Sequence, residues 1–454
     1  MLETHDFKGY WWLPGKEEEK LSGDLRIERG RAQLDVLGSF GHTVLSETAR
    51  ERTYSLDPAD QDRILGISSS GKRVTLERVA AGNNAINIPG LQTATYSAGV
   101  AIVGAEFPKG RRVAFDEIAI ELTDLNTWTG VSGFDLSAGL EQLDPGGALG
   151  FASLDARYEA PAPIEIPVFG GEEMSIRFTA ATKGLRGGTD HLDVRQKAAL
   201  HIRFKRKAGL EKIFQRVSEI RNFLSLLVGR PVSVTSVAGF LEPHTSGKST
   251  PSRPIQLYWQ IPHNPERPAA GRRRDEMLVP LPEAHPDITT VMRRWLRRQG
   301  RMEPVFNLFF GTIYHPSLYL EVEFLAFAQA IETYESRRRR AKTKRALREK
   351  MRTVLDESKT VTKQIVGTDA EDLDDFLDLF IDTRNYYTHY NPKKQKKAAS
   401  GTALLLLTLQ LRAIIEAAML RELGFPARGI NEILERTSRY DQIGHFRAML
   451  EEDN

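Results

Sequence analysis

Two hydrophobic periodicities divide the chain. Up to about residue 205, short runs rich in Val, Ile, Thr and aromatic residues recur between Gly, Pro, Asn and Asp: FKGYWWL, DLRIER, AQLDVLG, KRVTLERV, ATYSAGVAIVGAEF, FDEIAIELTDL, MSIRFTA and ALHIRFK. Runs of this kind predict strands punctuated by turns. Ile118, Ile120 and Leu122 alternate with Glu117, Ala119, Glu121 and Thr123, so this strand presents one apolar face to a core and turns the other outward. A sandwich-like or related antiparallel fold follows for this part.

At 210–229 the period changes. Ile213, Val217, Ile220, Leu224 and Leu227 recur at helical spacing and the run closes at Gly229, which predicts a helix. VSVTSV and IQLYWQI read as further strands, set beside Pro-, Gly- and charge-rich loops over 243–286 that mark a domain boundary.

Beyond 286 the pattern is helical. DITTVMRRWLRRQ begins it, followed by a stripe of Leu320, Phe324, Phe327, Ile331 and Tyr334, then Leu347, Met351 and Leu355. Thr368 and Glu371 fit a capping box for a helix carrying Leu373, Phe376, Leu377 and Phe380, which Asn391-Pro392 should stop. A helix over about 400–423 is apolar nearly all round, as the centre of a bundle must be. NEILERTSRYDQIGHFRAMLEE predicts one more, with Gly444 as its weak point. The expected fold is α+β, with a β-rich, sandwich-like domain over 1–286 and a helical bundle over 287–454.

Composition narrows the chemistry. The 454 residues are 41% hydrophobic and 27% charged, ordinary for a globular protein, and contain no cysteine. That excludes disulfides, thiolate catalysis and zinc sites built on Cys, and fits a reducing cytoplasm. The N-terminus lacks the pattern of a secretory leader, and ALLLLTLQL is too short to span a bilayer, so neither secretion nor membrane insertion is expected. Net charge is only +3, but basic residues cluster at Arg337–Arg340, Lys342, Lys344, Arg345, Arg348 and Lys350, and again at Lys393, Lys394, Lys396 and Lys397. Such clusters attract phosphate backbones, or simply solvate a helix face. No Walker loop, GxGxxG fingerprint or HExxH helix occurs.

The stretch RNYYTHYNP, residues 384–392, holds the chain's strongest candidate for chemistry. Arg precedes His by five or six positions elsewhere too, at Arg186/His191, Arg195/His201 and Arg439/His445, so spacing alone does not single out Arg384 and His389. Context does: Arg384 lies a turn beyond Phe380 on a helix next to a buried one, followed by polar Asn385 and flanked by Tyr386, Tyr387 and Tyr390. On the residues alone the plainer reading is a helix-terminal histidine and an arginine paired with Asp378 or Asp382.

RNYYTH, after an acidic amphipathic helix and before an apolar one, resembles the R-x4-6-H motif of HEPN ribonucleases, and LAFAQAIETYESRRR resembles another HEPN helix. FKGYWWLPG, LSGDLRIERGRAQLDVLGSFG and FDEIAIELTDLNTW resemble the N-terminal domain of the ApeA family of bacterial abortive-infection proteins. The resemblance implies a metal-independent endoribonuclease without cofactor, a homodimer whose cleft both protomers line, RNA (tRNA among the candidates) as substrate, and an anti-phage role set off by an unspecified phage-derived trigger. It assigns His389 as general acid or base, Arg384 as phosphate clamp and Asn385 as orienter. Tyr386, Tyr387, Tyr390 and the lysines at 393, 394, 396 and 397 become expected RNA contacts. Five helical positions separate the two motif side chains by roughly 140°, so either the helix breaks within YYTHYNP or a second protomer completes the site. The competing class is a HEPN module that binds RNA or protein without cutting; a third reading is a carbohydrate- or surface-ligand-binding β-domain with helical dimerisation.

Overall fold

The computed structural model describes residues 3–47, 52–86, 91–142, 149–168, 170–183, 193–242, 253–264, 273–281, 287–339, 345–367 and 370–452. The chain divides into two compact units. One comprises Met1–Asn126, Val131–Val217 and Ser233–Arg267; the other comprises Thr127–Gly130, Ser218–Val232 and Pro268–Asn454.

The first unit is built on β1 (His5–Trp12), β2 (Leu21–Glu28), β3 (Arg31–Leu37), the separate hairpin β4 (His42–Glu47) and β5 (Arg52–Pro58), then β6 (Gln61–Ser68), β7 (Arg73–Ile86) and β8 (Gln92–Val103). β8 pairs with β3, then β2, β1, β6 and β7 follow, and β7 returns to β8, closing a six-stranded antiparallel barrel. Burial alternates along its strands. Leu25, Ile27, Leu34, Val36, Ile64, Leu76 and Tyr96 point inward, and Trp11 joins them. Interior-facing side chains fill a small barrel of this kind completely. Gly66 stands opposite Trp11 because a Cβ there would lie 2.2 Å from the indole ring.

β9 (Ala114–Leu122) leads to the short helix α1 (Leu125–Thr129), the hairpin β10 (Phe134–Gln142) and β11 (Leu149–Tyr158), then β12 (Ile164–Pro167), β13 (Glu172–Lys183) and β14 (Asp193–Gly209). After α2 (Leu210–Val228) come β15 (Val234–Phe240) and β16 (Ile255–Tyr258). The sheet continues from β8 through β16, β15, β9, β14 and β13 to β12 as an open arm. The β-rich antiparallel expectation therefore holds, and its strands form a closed barrel and an open arm in one sheet. Alternation of apolar and polar residues suits both arrangements and does not encode which strands meet. A difference concerns β9: Ile118, Ile120 and Leu122 are buried as expected, but Glu117 on the opposite face is fully buried as well.

The second unit is helical: α3 (Ile288–Ile313), α4 (Leu320–Arg339), α5 (Leu347–Asp356), α6 (Lys359–Ile365), α7 (Ala370–His389), α8 (Gly401–Leu423), α9 (Ala427–Glu435) and α10 (Ser438–Glu452). Asp287 starts α3, its carboxylate accepting the N–H groups of Thr289 at 3.0 Å and Thr290 at 3.1 Å. α3 then runs on through Pro304, past the expected helical run, because MEPVFNLFFGTI buries Val305, Phe306, Phe309 and Phe310. Trp295 stacks near Phe306, with ring centres 4.6 Å apart, and its indole N–H donates to the Glu219 carbonyl of α2 at 3.0 Å. α8 is long and apolar enough to cross a bilayer, yet 72% of its most apolar window is buried within the protein, as a bundle's central helix requires. The C-terminal run is two helices that separate at Arg436–Thr437, and Gly444 lies inside α10. Residues 368 and 369 of the expected capping box lie outside the described residues.

Candidate active site

α7 is anchored by Phe376, Leu377, Phe380 and Thr383, all buried. Phe380 and Tyr387 both lie edge-on to Phe324 of α4, with ring centres 6.3 Å away in each case. The Thr383 hydroxyl accepts the Ala399 N–H at 2.9 Å, and the Tyr387 hydroxyl donates to the Ala399 carbonyl at 3.1 Å. Together these bonds tie the last turns of α7 to the approach to α8. Burial, with the charges of Glu321, Tyr386 and Tyr390 adding to it, raises the Tyr387 pKa above its ordinary value, so its hydroxyl remains a donor.

Arg384 follows Thr383 and stands about one-third exposed. One guanidinium nitrogen donates to the Asn385 side-chain oxygen at 3.3 Å, and another lies 3.6 Å from Glu332 of α4. The second oxygen of Glu332 receives Lys350 of α5 at 3.0 Å. Neither Asp378 nor Asp382 pairs with Arg384; they hold Arg348 and Lys394 instead. Glu332 is a member of this cluster that no motif in the sequence singles out. Nothing in one dimension links it to Arg384, since only the packing of α4 on α7 brings them together.

His389 is the last residue of α7, exposed and without a hydrogen bond among the described residues. The chain leaves the helix one residue later, at Tyr390, whose φ of 48° is a left-handed conformation rare for an aromatic residue. Rings 5.6 Å away at Tyr386 and 6.1 Å away at Tyr387 hold it there. The helix therefore does not break between Arg384 and His389, and the roughly 140° between them persists. Within one chain the two side chains diverge.

Two family models match the chain. The one described as ApeA N-terminal domain 1 covers residues 6–295, and the one described as Apea-like HEPN covers residues 325–428. The chain belongs to the ApeA-like HEPN family. No curated protein and no solved structure gives a significant match. Glu332, Lys350, Arg384, Asn385 and His389 all fall inside the HEPN segment.

Within that HEPN segment the expected RNA contacts differ in availability. Tyr390 is 62% exposed, whereas Tyr386 and Tyr387 are half-buried. Lys393, Lys396 and Lys397 are exposed in a 3-10 turn over Pro392–Lys397 that Asn391 caps, and Lys394 pairs with Asp382 at 3.4 Å. Much of the earlier basic cluster is held by carboxylates. Arg339 and Arg345 meet Glu335 at 3.3 and 2.8 Å, and Arg348 meets Asp374 at 2.8 Å. Residues 340–344 lie outside the described residues.

Of the other Arg/His pairs, two have members committed elsewhere. His201 lies 2.7 Å from buried Glu117, and Arg195 holds Asp193 at 2.8 Å. Arg439 is bound to Glu416, which is 1% exposed, and to the Gly229 carbonyl. Arg186 and His191 lie outside the described residues. Among the described residues, no group of three or more His, Asp or Glu side chains converges as a metal site would require.

Proposed function

We propose that the HEPN domain is a metal-independent endoribonuclease whose chemistry is carried by the end of α7. The observation that supports this most is the contrast on that one helix. Among the described residues His389 stands exposed and without a hydrogen bond, while Arg384 is oriented by Asn385 and Glu332 and remains about one-third exposed. In this reading a neutral His389 imidazole takes the proton of a ribose 2′-hydroxyl as its oxygen attacks the adjacent phosphorus. The P–O5′ bond breaks, and an imidazolium returns a proton to the departing 5′-oxygen. Arg384 offers paired N–H donors to the phosphate oxygens as charge builds on them, and Asn385 keeps it oriented. The products are a 2′,3′-cyclic phosphate and a 5′-hydroxyl.

Because α7 stays helical through His389, one chain cannot easily direct both groups at one phosphate. A second copy would supply the missing histidine and arginine, so the active species is a homodimer. Tyr390 and the lysines at 393, 396 and 397 are placed to hold flanking RNA, with Tyr386, Tyr387 and Lys394 behind them. The β-rich part, residues 1–286, serves as the sensing or regulatory domain of a cytoplasmic anti-phage protein, and residues 287–454 form the effector. Replacing the 2′-hydroxyl at a cleaved position by hydrogen should abolish cutting at that bond; undiminished cutting there would rule out this mechanism.

One observation favours a second reading. Arg384 is already engaged by Glu332 and Asn385, as a purely structural arginine would be, which suits a HEPN module that binds RNA or protein without cutting. The two part at His389→Ala, which should abolish the biological effect of a nuclease and leave that of a binder intact.

A further inference from the structure

The second unit carries a concentration of positive charge that the motif does not use. A cleft of about 560 Å³ is lined by Arg294, Arg297, Arg298 and Arg301 of α3, Arg338 of α4, and Arg421 with Glu422 of α8. On α3 the arginines recur at three- and four-residue spacing, which puts them along one side of the helix.

Their partners are mostly too few to neutralise them. Glu422 receives Arg298 at 2.8 Å and Arg338 at 3.0 Å. Glu357 receives Arg421 at 2.6 Å and also Arg338. Among the described residues Arg294 and Arg301 meet carbonyls only: Arg294 donates to Leu423 at the end of α8, and Arg301 to Arg337 and Arg338 at the end of α4. Arg297 aside, five guanidiniums of the cleft thus share two carboxylates among the described residues, an excess of three positive charges. Capping a helix end orients these side chains but does not cancel a full charge.

The cleft is also held in place. Tyr334, behind its lining, donates to Glu422 at 3.1 Å and accepts from Arg421 at 3.0 Å. Burial pushes the Tyr334 pKa up to about 12, which keeps its proton on. Gly424, at φ 96°, lets Arg294 lie across the end of α8, where a Cβ would overlap the guanidinium. Guanidiniums fixed on one edge leave the other edge for bidentate contact, the geometry that phosphate takes and that lysine does not reproduce.

We propose that this arginine cleft binds the phosphodiester backbone of RNA at a site separate from the end of α7. Along α4, Arg338 lies six residues beyond Glu332, about 9 Å further up the axis and about 120° around it, so the cleft and the Arg384 cluster use different faces of that helix. This inference rests on the reading of the domain as one that acts on RNA. It adds that the preferred substrate extends beyond the scissile bond, with its flanking strand held by arginines.

The test uses the full chain carrying His389→Ala, so that RNA is bound without being cut. Affinity for a fluorescein-labelled RNA oligonucleotide is measured by anisotropy over a range of salt, with and without Arg294→Ala, Arg297→Ala and Arg301→Ala together. Binding should weaken at least about tenfold, and the slope of log affinity against log salt should fall by about 2, each lost phosphate contact contributing about 0.7 to 0.9. The corresponding triple lysine variant should keep most of the slope while binding more weakly than the parent. If the triple alanine variant does not fold, Arg297→Glu alone, at an exposed position, should show the same loss.

Unchanged affinity and slope in a folded variant would overturn the proposal, as would a parent chain that binds no RNA. Loss of ATP binding with RNA binding intact would also overturn it, by assigning the cleft to a free nucleotide. A chain that binds RNA through these arginines but never cuts it would uphold this site and sink the nuclease. Cutting by the wild type, with binding indifferent to the arginines, would do the reverse.

Discussion

Glu117 in the β-rich unit and Glu332 in the helical unit gather similar side chains to opposite ends. Glu117 is fully buried and is met by Arg177 at 3.0 Å, His201 at 2.7 Å and Arg203 at 3.6 Å. Glu332 is about one-third exposed, holds Lys350 and Arg384, and leaves His389 outside the cluster. The first arrangement is saturated: its carboxylate has no accessible edge, and its histidine is already spoken for. The second is open, with a partly exposed arginine and an exposed histidine at a helix terminus. Residue type alone does not distinguish a saturated cluster from an open one. Burial and the number of partners do.

Removing each carboxylate should break the comparison most sharply. Glu117→Ala strips a charge network of its fully buried carboxylate and should cost about 3–5 kcal/mol in denaturant unfolding. Glu332→Gln, at a partly exposed pair, should cost less than about 1 kcal/mol. Equal costs would mean that the two clusters do the same structural work. At the open cluster, Arg384→Lys retains the charge but loses the paired donors, and the cleavage rate should fall about tenfold or more with unfolding unaffected. The smallest effect belongs to Tyr387→Phe, which loses one hydrogen bond to Ala399 and should cost about 1 kcal/mol of stability. A larger fall in cleavage than in stability there would give the tyrosine a role at the RNA.

What could be read from the chain follows the range of the interactions involved. α2 was legible because Ile213 to Leu227 repeat at helical period and Gly229 ends the run, all local signals. The barrel was not, because β7 meets β8 and β16 meets β8 through pairings that alternation does not encode. α3 outran its expected end because the buried Val305 to Phe310 segment outweighs the helix-breaking tendency of Pro304. Arg384, Asn385 and His389 stood out by motif, and α7 does end next to the polar turn that Asn391-Pro392 announced. Glu332 and the arginine cleft were invisible, since each is assembled from helices distant in sequence.

The account stands most directly on the histidine at the end of α7. Wild-type protein and His389→Ala should be incubated with end-labelled RNA in EDTA and their products compared. The account predicts cutting by the wild type to 2′,3′-cyclic phosphate and 5′-hydroxyl ends, a fall of about 10²- to 10⁴-fold in the variant, and a change in unfolding free energy under about 0.5 kcal/mol. Equal cutting by both proteins would contradict it.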